Sequence, residues 1–299
     1  MARRCLFRCL ASLAAFGAVI QVEIQTKFAS KWWKRREARL WREGFHTVPR
    51  YAQEDLPCAV PPGCVGLGNV TLVTVAIGVD KLYEKALWAN RQSYARRFCY
   101  EYCIFTHPFS NTRAFPWEKV LAVRHLLEHG RKNVMYVDAD AVFIKPLPVW
   151  SFVDSFFAAG KDILWTADGE DCHDRCDVEQ VSVNTGVFVS RNTPWTQQFW
   201  TRLWDDYAEW AFEGHIEQRA ILEFRATHAG EFQKHCGIYG KEMNFQSWWG
   251  MRLPSREMYI YHYASNGGAN DMMSKQHKYH VLLGMMQGID MFPGIPAPA

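Results

Sequence analysis

Val134-Met135-Tyr136-Val137-Asp138-Ala139-Asp140-Ala141-Val142 is the stretch on which the reading of this chain turns. Residues 133–137 are apolar after the first and read as a buried β-strand, one that ends by delivering two carboxylates spaced one residue apart. Alternate residues of an extended chain face the same side, so both carboxylates can reach one point. Two negative charges held together repel, and a divalent cation between them relieves the repulsion. The stretch therefore predicts a metal site at the carboxyl end of a central strand.

Outward from it, strand and helix patterns alternate. Strands are expected over 70–77, 100–105, 163–166, 181–190 and 258–263, and helices over 81–97, 117–129 and 217–225. Leu82, Ala86, Trp88, Ala89 and Tyr94 mark the expected inner stripe of the first helix. Another helix is expected to open at Thr193-Pro194, with a hydroxyl N-cap and proline in the first turn. Its stripe of Trp195, Phe199, Trp200, Leu203, Trp204, Tyr207 and Trp210 reads as a core face. This alternation argues an α/β class, a doubly wound sheet with helices on both faces, in which ligands collect beyond the carboxyl ends of the strands.

The 299 residues are 48% hydrophobic, 22% charged and 15% aromatic, a globular composition that excludes disorder and a multi-span membrane protein. Residues 1–50 carry 11 Lys/Arg against 3 Asp/Glu, and the remainder 23 against 28. The folded part is mildly acidic, so no nucleic-acid partner is expected. Arg3, Arg4 and Arg8 precede an apolar run from Cys9 to Ile20, read as a signal anchor or signal peptide over residues 1–25. Residues 26–67, basic and then rich in Pro and Gly, read as a stem, and 68–299 as the catalytic domain. Cysteines cluster as Cys58/Cys64, Cys99/Cys103 and Cys172/Cys176, open to disulfide, zinc or reduced-thiol readings. Asn69-Val70-Thr71 is a glycosylation sequon that abuts a strand expected to be buried. A secretory-pathway membrane such as the Golgi, with a luminal catalytic domain, is the expected location.

Further polar residues follow in order. Asp168 follows the strand ending at Ala167. In Asn184-Thr185-Gly186 the glycine permits close backbone approach to a ligand, and the asparagine offers a donor and an acceptor. Glu217-Gln218 stands in a polar break between helical stretches, and His262 ends a strand. A neutral imidazole is a good third ligand for a cation such as Mn²⁺.

Together with Asn90-Arg91, Tyr94-Ala95, Trp117-Glu118-Lys119, Arg124 and Arg191-Asn192, these motifs resemble the retaining nucleotide-sugar glycosyltransferases of the GT-A fold. The resemblance spans Thr71 to Gly268 and is strongest to glycosyltransferase family 34, the galactomannan galactosyltransferase, xyloglucan xylosyltransferase and yeast Golgi mannosyltransferase group. Two departures stand out: Glu217-Gln218 replaces the usual Asp-Gln, and His262-Tyr263-Ala264-Ser265-Asn266-Gly267 replaces a His-Phe-x-Gly-Cys segment. The resemblance implies a Rossmann-like mixed sheet, a nucleotide-sugar donor and a glycan or glycoconjugate acceptor. It implies Mn²⁺ held by Asp138, Asp140 and His262, with Lys119 and Asp168 beside the donor. Gln218 would lie by the anomeric carbon, with Glu217 and Asn184 orienting donor or acceptor hydroxyls. Two rival readings are a haloacid-dehalogenase-like phosphatase, which needs a later acidic pair after a strand, and an inactive carbohydrate-binding homologue. The candidate pair for the first, Asp205-Asp206, falls inside the Trp-rich helix.

Overall fold

A computed structural model describes residues 57–64, 69–79, 81–110, 112–168, 175–179, 181–210, 216–240, 242–246 and 259–263. All of these fall in one compact unit, residues 48–266 with 273–299. The expected anchor over 1–25, most of the stem, Cys172, and the segment from Ala264 onward lie outside the described residues. Among the described residues no helix is long and apolar enough to cross a membrane.

The strands are β1 Cys58–Ala59, β2 Thr71–Val75, β3 Glu101–Phe105, β4 Asn133–Val137, β5 Ala141–Phe143, β6 Ile163–Ala167, β7 Arg175–Cys176, β8 Val183–Arg191, β9 Cys236–Tyr239, β10 Phe245–Gln246 and β11 Ile260–His262. The helices are α1 Lys81–Phe98, α2 Glu118–Glu128, α3 Trp150–Ala158, α4 Pro194–Asp206, α5 Ile216–Thr227 and α6 Ala229–His235. The main sheet runs β1-β3-β2-β4-β8-β6-β9-β7, and a small one runs β10-β11-β5. β3, β2 and β4 are mutually parallel, whereas β8 lies antiparallel to both β4 and β6. The sheet is therefore mixed, as expected.

The period-2 rule for side chains on a strand explains the two cores. Along β4, Val134 and Tyr136 enter one apolar cluster with Val123 and Leu127 of α2, Trp200 and Leu203 of α4, and Phe224 of α5. Met135 and Val137 enter the other, with Tyr94 of α1 and Phe152, Val153 and Phe156 of α3. Helices thus cover both faces. The α4 stripe is a core face as read: Phe199, Trp200, Leu203 and Tyr207 are buried, and Trp195, Trp204 and Trp210 pack against them. Thr193 caps α4 by accepting from the Thr196 amide, with Pro194 in the first turn.

One expectation needs correction. The inner stripe of α1 is Tyr83, Leu87, Asn90, Arg91, Tyr94 and Ala95, while Leu82 is exposed; the buried face is partly polar because it binds backbone groups behind the metal site. Of the readings left open for the cysteines, disulfides are what the described residues show, and across two of the clusters: Cys58 bonds Cys103 and Cys64 bonds Cys99. β1, from the expected stem, pairs antiparallel with β3, which is what brings Cys58 opposite Cys103. Cys176 is also disulfide-bonded, and Cys236 is a buried free thiol. Helices α3 and α6 have no counterpart among the expected elements; both are short, and α3 is apolar along most of its length.

Gly237 of β9 lies under Phe156 of α3, and a Cβ there would stand 2.4 Å from Phe156 Cδ1. Gly237→Ala is expected to lower the unfolding free energy by about 1–3 kcal/mol through overpacking. Urea denaturation reads this, and an unchanged midpoint would place α3 elsewhere.

Candidate active site

The strand carrying the two aspartates ends at Val137, and Asp138 to Ala141 form a turn rather than extended chain: the Ala141 amide donates to the Asp138 carbonyl at 3.0 Å. The two carboxylates converge through this turn, not through strand alternation. Helix α1 fixes it from behind. The buried Arg91 guanidinium donates to the carbonyls of Asp138 (2.9 Å) and Ala141 (2.8 Å), to Thr74 Oγ1 (3.0 Å), and to Asn90 Oδ1 (2.7 Å). Asn90 in turn pairs with the amide and carbonyl of Phe143, each at 3.3 Å. Tyr83 Oη donates to the Ala139 carbonyl. Burial lowers the Arg91 pKa to about 10, which leaves it a cation at neutral pH.

β11 brings the histidine. It pairs with β5 so that His262 sits opposite Ala141, and the Tyr263 amide donates to the Asp140 carbonyl at 2.9 Å. His262 Nε2 lies 3.2 Å from Asp140 Oδ1 and 3.9 Å from Asp138 Oδ2. Ligand atoms of Asp138, Asp140 and His262 all lie within 4.8 Å of one another. The second ring nitrogen, Nδ1, is buried without a hydrogen-bond partner. A divalent cation fits this set: oxygen donors with one imidazole suit an ion of the Mn²⁺ type, and the carboxylates converge without enough positive charge to balance them.

That balance is set by Lys119, from the first turn of α2. It is almost fully buried, with Nζ 2.8 Å from Glu217 Oε1, 3.3 Å from Asp138 Oδ1 and 3.2 Å from the Thr185 carbonyl. Its three donors are thus occupied by protein groups, two carboxylates and a carbonyl. The two carboxylates push the Lys119 pKa up, against the effect of burial. Burial pushes Asp138 up, and Asp140 adds to the rise while Lys119 and His262 oppose it. Two carboxylates, Asp138 and Glu217, therefore face one lysine, and Asp140 adds a third negative charge beside Asp138.

Gly186 has a different reason to be glycine from the one its sequence suggested. A Cβ there would meet His262 Cε1 at 2.2 Å and Asp138 Oδ2 at 2.8 Å, so the backbone of β8 approaches the metal ligands themselves. Next to it, Asn184 Oδ1 accepts from the Gly186 amide (2.9 Å) and from Asn244 Nδ2 (3.0 Å), while Asn184 Nδ2 donates to Asp168 Oδ1 (3.4 Å). Gln218 Nε2 donates to the other Asp168 oxygen (3.2 Å), and Gln218 Oε1 accepts from the Thr185 amide (3.3 Å). Thr185 Oγ1 donates to Glu217 Oε1 at 2.8 Å. One connected network therefore joins all eight residues read from the sequence: Lys119, Asp138, Asp140, Asp168, Asn184, Glu217, Gln218 and His262. Sequence reasoning missed Tyr136, which donates to Asp138 Oδ1 at 2.8 Å from within an apolar strand, and Asn244, which has no motif around it. Asp205 and Asp206 are exposed at the end of α4 and supply no phosphatase-type acidic pair to this cluster.

Three substitutions test this geometry. The native chain is expected to melt at a higher temperature when a divalent cation is added, and Gly186→Ala, by displacing the imidazole, is expected to lose that rise; a full rise in the variant would show the close approach to be unimportant. Lys119→Met, which leaves buried carboxylates uncompensated, is expected to cost about 3–5 kcal/mol in urea unfolding. Adding Glu217→Gln to it should recover part of that loss, since the second change removes one of the uncompensated charges.

Residues 105–236 match the family model described as nucleotide-diphospho-sugar transferase. No curated protein matches the chain in sequence. Among solved structures, a glycosyltransferase involved in glycosylation of the major capsid of the virus PBCV-1 superposes with a TM-score of 0.52 at 13% identity, over 72% of this chain and 98% of that one. The glycosyltransferase GlyE of Streptococcus pneumoniae is similar at 0.41 and 13%, over 73% and 63% of the two chains. Mouse xyloside xylosyltransferase 1 is similar at 0.41 and 12%, over 67% and 98%. The mixed sheet flanked by helices is a GT-A fold. The family match over its central segment supports a transferase of the nucleotide-diphospho-sugar type.

Proposed function

We infer that this chain is a Mn²⁺-dependent retaining glycosyltransferase that moves a hexose or pentose from a nucleotide sugar to a glycan or glycoconjugate acceptor. The observation that carries this reading is the convergence of Asp138, Asp140 and His262 beside the Asp168–Gln218–Asn184 array, at the end of β4 where α/β sheets bind ligands. When bound, the cation supplies Lewis-acid stabilisation of the departing diphosphate. Asp138 and Asp140 would hold it, with His262 as the nitrogen donor. Lys119 keeps the Asp138 carboxylate charged and aimed, and Glu217 keeps Lys119 in place.

Gln218 and Asn184 present their amides with fixed orientation because Asp168 accepts from both. These amides are suited to hydrogen-bonding sugar hydroxyls next to the reacting carbon. Glutamine is a poor nucleophile, which favours attack by the acceptor hydroxyl on the same face the diphosphate leaves. In that step the bond from the acceptor oxygen to the anomeric carbon forms, the bond to the diphosphate oxygen breaks, and the diphosphate takes the acceptor proton. The family-34 resemblance favours galactose, xylose or mannose as the sugar.

The disulfides Cys58–Cys103 and Cys64–Cys99 favour an oxidising compartment. With the basic, apolar amino terminus, they support a luminal catalytic domain on a Golgi or other secretory-pathway membrane, held by a single anchor.

Screening a panel of nucleotide sugars for Mn²⁺-dependent hydrolysis tests the reading directly. One donor is expected to be hydrolysed by the native chain, with Asp138→Asn and Asp140→Asn each reducing the rate at least about 100-fold, the scale expected when a principal charge-stabilising contact is lost. His262→Ala should weaken the Mn²⁺ dependence more than it lowers the melting temperature. Full activity in either aspartate variant would overturn the metal assignment.

A further inference from the structure

We propose that Asn69 carries an N-linked glycan, attached in the secretory lumen before β2 is laid into the sheet. Asn69-Val70-Thr71 is the one Asn-x-Ser/Thr sequence without proline at x in the 299 residues. The strand it abuts is buried, as expected, but Asn69 itself is exposed just ahead of that strand. It borders an open polar hollow of about 220 Å³ lined with Thr71, Glu101, Gly130, Arg131 and Lys132. Its backbone carbonyl is used, accepting from Asn133 Nδ2 at 2.7 Å, so the fold anchors the main chain at this point.

Thr71 sets the timing. The residue is 4% exposed, and Oγ1 donates to Glu101 Oε2 at 2.7 Å. β2 lies between β3 and β4, paired through Thr71 with both Glu101 and Val134. An enzyme that must read the Thr71 hydroxyl and the Asn69 amide together meets them only in the unfolded chain. The disulfides Cys58–Cys103 and Cys64–Cys99 tie the segment before Asn69 to the region of β3, so their closure favours the folded arrangement that hides Thr71.

In the reaction, Asn69 Nδ2 bonds to the anomeric carbon of an oligosaccharide carried on a polyprenyl diphosphate. The bond from that carbon to the diphosphate oxygen breaks, polyprenyl diphosphate leaves with the electron pair, and a base of the oligosaccharyltransferase takes the amide proton. The glycan would not obstruct the candidate active site. β2 and β4 run parallel in register Thr71 with Val134, so Asn69 is at the amino-terminal edge of the sheet and Asp138 at the carboxyl-terminal edge, six residues or about 20 Å further along the strand direction.

The test is expression of the full chain in cultured eukaryotic cells, followed by peptide N-glycosidase treatment in ¹⁸O-water and mass spectrometry of the Asn69 peptide. The expected result is a single mobility step removed by the enzyme, with ¹⁸O-labelled aspartate at position 69. Asn69→Gln and Thr71→Ala should lose the step, and Thr71→Ser, which keeps the hydroxyl, should retain it. Purified unglycosylated chain with its disulfides closed should not be modified by microsomal oligosaccharyltransferase, and should become a substrate after reduction and unfolding. Absence of the step in the native chain overturns the proposal, and modification of the folded chain overturns the order of events. Thiol labelling of the same sample separates causes: closed disulfides without glycan refute only the glycan, whereas free thiols without glycan refute luminal residence as well. Nucleotide-sugar hydrolysis by Asn69→Gln should match the native rate, so failure of the glycan leaves the transferase reading standing.

Discussion

The buried ammonium of Lys119 is the contact on which the site depends. It reaches the Asp138 carboxylate at the end of β4, the Glu217 carboxylate at the start of α5, and the Thr185 carbonyl on β8. Three segments distant in sequence are thereby held at fixed separation by one charge that cannot leave without stranding two others. Such a buried cluster is weak as a source of stability but strong as a constraint on position, because breaking it exposes uncompensated charge. Here the constraint puts Asp138 within reach of His262 and Gln218 within reach of Asp168.

The rest of the fold supplies rigid walls for that cluster. Arg91 and Asn90 bind main-chain groups from Asp138 to Phe143, so the turn bearing both aspartates is held by α1 and not by its own hydrogen bonds alone. Tyr94 stacks flat on Phe143 at 3.8 Å, which seats α1 against β5. On the other side, the missing side chain of Gly186 lets β8 touch His262 and Asp138. The side chains of Asp138, Asp140 and His262 thus lie between a cationic helix face and a bare strand.

The alternation of patterns along the chain was sufficient to read an α/β sheet with helices on both faces, because strands buried on both sides must be apolar at every position. All eight candidate site residues were legible too, each as a polar residue in a short motif at the edge of an apolar segment. The inner face of α1 was misread for the same reason in reverse: Asn90 and Arg91 are buried polar groups, and a search for apolar spacing passes over them. Tyr136 was hidden because a tyrosine in a buried strand looks like core until its hydroxyl is seen to reach Asp138.

The sequence alone determined which elements form and which residue types stand at their ends, since these follow from local periodicity and from the chemistry of single side chains. Tertiary structure alone decided that Lys119 faces inward to two carboxylates, that Cys58 bonds Cys103 and Cys64 bonds Cys99, and that Gly186 serves His262. These are matters of distance between segments up to 98 residues apart, from Lys119 to Glu217. No local pattern encodes such a distance; it appears only when the sheet order and register are set.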